Sequence, residues 1–364
     1  MIHNILKILL VAALVLSLTP LANSAVIGDK HETEVWRAYE LRMAGKVDEA
    51  RDLLFKVIEK DSTNAMAHYE LSRLYHYMFV GGGKVNIEDI LASINKAVAS
   101  EPDNVIYAYY RAITCFLHAF SAMQSSMDLV KPRIAETCTA LERVLKLKPD
   151  YYEAKLYLVE IYGTLPAEMG GDSLKAKEYA SQMNKVNRFF SLKARAALLP
   201  EGSDLVRYWG NLVAMNAKNP LYLIEMGKAY LFKDDPANAE LYFKKVQRMD
   251  SSQNILTLDL ARYHIMKVMQ DQQLAKEELP KAKKFIESYL ASSPEPIVPL
   301  KTYAMGLLSK VETFLGNQSR GDELLKEANS LDPYFSRASG IPTLLLFVPP
   351  DQISHHYFSF FSPF

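Results

Sequence analysis

Between residues 31 and 335 apolar side chains recur three and four positions apart, in short blocks separated by polar turns, which is the pattern of amphipathic helices. The blocks repeat. Ala50, Leu54 and Val57 have the spacing of Ala239, Phe243 and Val246, and the segments before them superpose as well, Ala38, Leu41 and Gly45 against Met226, Gly227, Ala229 and Tyr230. A third copy runs through Leu71, Ser72 and Tyr75 to Ile90, Ile94, Ala97 and Pro102, and a fourth ends at Leu325, Ala328 and Pro333. Small residues at Ala38, Ser72, Ala112 and Gly227 mark where one helix must approach its partner closely. Turn signals at Ala44-Gly45-Lys46 and at 233–236 separate the helices of a pair, and Pro102, Pro149, Pro220 and Pro333 are expected to end second helices.

Eight helical pairs follow: 31–64, 65–104, 105–150, 151–187, 188–220, 221–253, 254–294 and 296–335. The fifth is degenerate. Lengthened turns are expected at 79–84, 121–133 and 165–172. No pair can bury its apolar face alone, so stacked neighbours share one continuous core. The expectation is an all-α, right-handed α-solenoid of about eight pairs, divided as a signal segment 1–25, a repeat domain 26–335 and an apolar, aromatic extension 336–364.

This arrangement of small, aromatic and proline positions resembles the tetratricopeptide repeat (TPR), a helix–turn–helix unit of about 34 residues. The resemblance implies that first helices line a concave face. It would turn Tyr39, Arg42 and Met43 inward from the first pair, Met66, Tyr69, Arg73, His76 and Tyr77 from the second, and Ile106, Tyr109, Ile113, Phe116 and Leu117 from the third. Tyr and Arg carry binding energy when a partner desolvates them, so the candidate binding residues are Tyr39, Tyr69, Arg73, His76, Tyr77, Tyr109 and Phe116. On this reading Arg73 and Tyr77 stay partly exposed. The alternative is that these side chains fill gaps between stacked helices. The carboxylate clamp by which some TPR proteins grip a chain terminus is missing, since Val35 and Tyr39 occupy two of its places.

The N-terminus reads as an export signal: Lys7, an apolar run over residues 8–18, Pro20, then Ala22, Ser24 and Ala25. The run is shorter than the ~20 residues a membrane-spanning helix needs. Cleavage after Ser24 or Ala25, with no cysteine there for a lipid anchor, would place the mature chain outside the cytoplasm, periplasmic or secreted, without a membrane span.

Composition narrows the chemistry. Lys and Arg number 42 and Asp and Glu 42, which gives no electrostatic reason to expect nucleic acid. Gly81-Gly82-Gly83-Lys84 lacks the first glycine and the Ser/Thr of a phosphate loop, since Met78 and Val85 stand there. His68 and His76 share a helix face without a fixed carboxylate, and His355-His356 is no stronger, so neither a metal nor another cofactor is expected. No nucleophile elbow or defensible Ser/His/Asp spacing supports catalysis. Cys115 and Cys138 fall on the two helices of the third pair and form either a disulfide or two buried thiols.

The sequence therefore points to a non-catalytic, exported scaffold that binds a protein or peptide partner in its concave groove. The alternative is a periplasmic small-molecule carrier, similar to helical-repeat components of solute transporters, which share turns like Pro166…Gly170-Gly171-Asp172. The apolar stretches 341–350 and 357–364 either dock a partner or fold back to cap the last pair.

Overall fold

The computed structural model describes residues 30–183, 187–338 and 346–351. The expected signal segment, His355-His356 and the aromatic end 357–364 lie outside the described residues.

Among the described residues sixteen α-helices form eight consecutive antiparallel pairs, and no strand occurs. The pairs are α1 (Lys30–Met43) with α2 (Val47–Lys60), α3 (Ala65–Val80) with α4 (Ile87–Ser100), α5 (Val105–Ser125) with α6 (Val130–Leu147), and α7 (Tyr152–Thr164) with α8 (Ser173–Met183). They continue as α9 (Arg188–Ala197) with α10 (Leu205–Met215), α11 (Pro220–Phe232) with α12 (Pro236–Met249), α13 (Ile255–Gln270) with α14 (Ala275–Leu290), and α15 (Val298–Phe314) with α16 (Gln318–Leu331). Each pair packs on the next, giving the expected right-handed TPR-type solenoid.

Short polar residues start the helices. Asn64, Asn104, Asn187 and Asn219 precede α3, α5, α9 and α11, and each side-chain oxygen accepts from an amide two or three residues on. Asn86 and Asp89 cap α4 reciprocally, and Asp204 and Asp235 cap α10 and α12. Such caps are worth about 1 kcal/mol each, enough to set where a short helix begins.

Two local expectations are corrected. Pro220 does not close a second helix but is the first residue of α11, where its missing N–H costs nothing. The lengthened turn over 121–133 is mostly helix. α5 runs 21 residues to Ser125 because Ala119 and Ala122 continue its buried face. The turn over 165–172 is present, closed by the amides of Met169 and Gly171 on the Pro166 carbonyl at 2.9 and 3.0 Å, so its residues are accounted for by the turn itself.

The small-residue positions do mark close helix contacts. Ser72 Oγ donates across the pair to the Ile90 carbonyl at 2.8 Å, and a Cβ on Gly227 would lie 2.3 Å from the Phe243 ring. Ala239, fully buried on α12, belongs to the same cluster as Phe243. Ala239→Leu should therefore overpack the sixth pair and cost about 1–3 kcal/mol. A thermal melt unchanged by the substitution would place Ala239 on the wrong face.

The solenoid returns on itself. Gly45, which ends α1 at φ +77°, lies so close to the end of α16 that a Cβ there would stand 2.2 Å from the Leu331 carbonyl oxygen. Beyond α16, Phe335 stacks on Tyr77 at 4.2 Å and meets Phe347 edge-on at 5.9 Å. One apolar cluster thereby joins the first four pairs, the last two and the C-terminal segment. The extension does not simply cap the last pair. Of its described parts, Ser336 contacts the eighth pair at Asn329, while residues 346–348 make polar contacts with the first and second pairs, because the eighth pair comes back beside the first.

Candidate binding groove and its buried charges

Helices α1 and α3 hold three charged side chains with no exposed surface: Arg42 on α1, and Glu70 and Arg73 on α3. Arg42 Nε donates to Glu70 Oε1 at 2.7 Å, and Arg73 Nη1 lies 3.0 Å from Glu70 Oε2. Ionised groups survive burial only when paired and hydrogen-bonded, and here one carboxylate serves two guanidiniums. Arg42 Nη1 and Arg73 Nη2 turn to the C-terminal segment. Arg42 Nη1 donates to the Leu346 carbonyl at 2.6 Å, Arg73 Nη2 donates to the same oxygen at 3.1 Å and also to the Val348 carbonyl, and the Tyr39 hydroxyl donates to the Phe347 carbonyl at 2.8 Å. Aromatic faces complete the enclosure, with Arg73 5.2 Å from the Tyr69 ring centre and 5.5 Å from that of Tyr39, and Arg42 5.7 Å from that of Tyr77.

Tyr39, Tyr69, Arg73, His76 and Tyr77 are thus brought together, but not in the open groove expected of them. Arg73 and Tyr77 are both 0% exposed. Asp332 and Phe335 cover Tyr77, and residues 346–348 cover Arg73, an arrangement that no pattern within one repeat encodes. The Tyr77 hydroxyl donates to Asp332, whose carboxyl burial pushes above the usual range. His76 sits behind this cluster with Nδ1 3.1 Å from the Tyr110 hydroxyl. Burial, reinforced by the charge of Arg42, lowers its pKa to about 3, so it is neutral at physiological pH. Tyr109 belongs to a different aromatic group, with Tyr151 at 4.6 Å and Tyr157 at 6.3 Å. Phe116 is buried farther along α5.

Sequence reading missed a set of sheltered ion pairs on α9, α11 and α13. Lys193 on α9 lies 3.1 Å from Glu225 on α11, which also faces Lys228 at 3.5 Å, and Asp259 on α13 faces Arg262 at 3.4 Å. These side chains are largely sheltered. Burial works against ionising Glu225, yet Lys193 and Lys228 outweigh it and hold its carboxyl below the ordinary value. Burial dominates at Asp259 and raises it to about 7 despite Arg262 and Lys228. The signal was in the sequence: an acid followed three residues later by a base inside an otherwise apolar first helix, at Glu70/Arg73, Glu225/Lys228 and Asp259/Arg262. At that spacing opposite charges share a helix face.

Cys115 and Cys138 form no disulfide; both are free and buried. Burial pushes their thiols up to about 12 and about 11, so neither carries appreciable thiolate at neutral pH. Among the described residues no group of three or more His, Cys, Asp or Glu side chains could hold a metal ion, and no helix is long and apolar enough to cross a membrane. A shallow cleft of about 460 Å³ between α6, α7 and α8 is lined by Glu142, Lys146, Lys155 and Tyr179, outside the inner face.

No protein-family model matches this chain, and no curated protein matches it. Among solved structures, a tetratricopeptide repeat protein from Parabacteroides merdae is similar over 88% of this chain and 97% of its own, at 14% identity and a TM-score of 0.35. The crystal structure of MamA covers 62% of this chain and 98% of its own, at 18% identity and a TM-score of 0.30. PilW, described as a widely conserved type IV pilus biogenesis factor, covers 84% and 96% at 14% identity, with a TM-score of 0.31. These likenesses concern the helical-repeat fold alone. The described residues define a TPR-like helical-repeat fold.

Proposed function

We propose that this chain is an exported, non-catalytic scaffold that binds a protein or peptide partner on the inner face of its solenoid. The observation that carries the reading is the segment 346–348, which the inner face of the first two pairs holds by its main-chain carbonyls. A surface that grips one stretch of chain by groups common to all peptides has the chemistry to grip another. The charged inner face of the fifth to seventh pairs, where Arg262 keeps 21% of its side-chain surface, extends this lining. Export is supported by the sequence of residues 1–25.

A photo-reactive residue at Arg262 should cross-link a partner in the native envelope, whereas one at Leu241, exposed on the outer helix α12, should not. Equal labelling from both positions would remove the inner face from the reading. Intact mass of protein recovered outside the cytoplasm should begin at Ala25 or Val26, and cytoplasmic protein retaining Met1 would reject export.

A further inference from the structure

We infer that Tyr39, Arg42 and Arg73 form a receptor site for an extended apolar segment of a partner protein, and that residues 346–348 occupy it as a tethered stand-in. The inference rests on the reading of the inner face as a binding surface and names the chemistry of its ligand. Three consecutive carbonyls are taken. Leu346 is bound by both arginines, Phe347 by the Tyr39 hydroxyl and Val348 by Arg73. Leu346 is fully buried and Phe347 8% exposed, so the site pairs main-chain recognition with enclosure of two adjacent apolar side chains.

A purely structural latch has no need of this equipment. Buried ion clusters stabilise a fold no better than apolar residues of similar volume, and an apolar contact at Phe335 already joins the two ends. Guanidiniums held in place by Glu70 are suited to carbonyls that arrive and leave. The stand-in also does not saturate the site. Arg42 Nη2 is buried with no hydrogen-bond partner among the described residues, a donor available to a further carbonyl of a longer ligand. The ligand is therefore an extended segment with two neighbouring large apolar side chains and no charge at those positions, since Glu70 already pairs with both arginines.

Residues 339–345 tether the stand-in to the last pair. A tether this short gives a local concentration on the order of millimolar, so an external segment competes only when the stand-in is weakened. The test uses the full chain and a fluorescein-labelled peptide of residues 343–351 (Thr-Leu-Leu-Leu-Phe-Val-Pro-Pro-Asp), with affinity read by anisotropy. Leu346→Asp/Phe347→Asp places two charges in the buried site and should raise peptide affinity at least tenfold over the unaltered chain. Adding Tyr39→Phe, which removes only the hydroxyl that binds the Phe347 carbonyl, should weaken the peptide about fivefold. Equal affinity for the unaltered and double-variant chains overturns the inference, as does a Tyr39→Phe change without effect. A double variant that loses its cooperative melt also overturns it, because the segment is then part of the fold. A failed cross-link at Arg262 with the peptide still bound rejects the wider partner surface and leaves this site, and the reverse result rejects this site alone.

Discussion

Glu70→Ala lowers the unfolding free energy by about 3–5 kcal/mol, the expected cost of breaking a buried ion pair from one side. Arg42 and Arg73 then share a site with no carboxylate between them, and both are 0% exposed. The carbonyls of Leu346 and Val348 and the rings of Tyr39, Tyr69 and Tyr77 cannot replace a full charge. Denaturant unfolding measures the loss. The companion variant Arg42→Met/Glu70→Leu/Arg73→Met removes all three charges together and should restore most of the stability, because apolar replacement of a whole buried cluster is close to neutral. A Glu70→Ala loss below ~1 kcal/mol would show that water reaches the cluster.

Acidification produces the second large effect, through His76. Its folded pKa of about 3 lies below the unfolded value near 6.5. The stability it contributes is fully present above pH 6.5 and is lost as pH falls toward 3. One proton taken up on unfolding changes stability by about 1.4 kcal/mol per pH unit, hence about 3 kcal/mol between pH 6.5 and 4. Asp332 and Asp259 act in the opposite sense. Burial raises both, so their share is present at low pH and is lost as pH rises through their folded values, about 7 for Asp259. Comparison with His76→Gln isolates the histidine, and its unfolding free energy should fall less steeply over that interval. Parallel pH profiles for the two chains would mean that His76 is hydrated and titrates normally.

The repeat itself was legible in the chain. Small residues at Ala38, Ser72 and Gly227, polar turns, and apolar steps of three and four are local requirements of one helix meeting its neighbour, and they placed all eight pairs close to their observed bounds. Local signals failed where a neighbouring element decided the outcome. Pro220 is as compatible with starting a helix as with ending one, and α5 continued past Ser121 because Ala119 and Ala122 found a buried surface. The acid-x-x-base triplets were visible but looked like ordinary solvated charge until the superhelix curved around them. The candidate residues Tyr39, Tyr69, Arg73, His76 and Tyr77 were chosen for an open concave face, whereas Arg73 and Tyr77 are fully buried.

The covering of that face could not be read from any segment. Sequence determined the helical pairs and their register, because both depend on residues within about one repeat. Tertiary structure alone decided that the eighth pair returns beside the first and that Asp332, Phe335 and residues 346–348 close over Arg42, Arg73 and Tyr77. Small rotations between successive pairs add up along a solenoid, and the contacts that result join residues 255 to 308 positions apart.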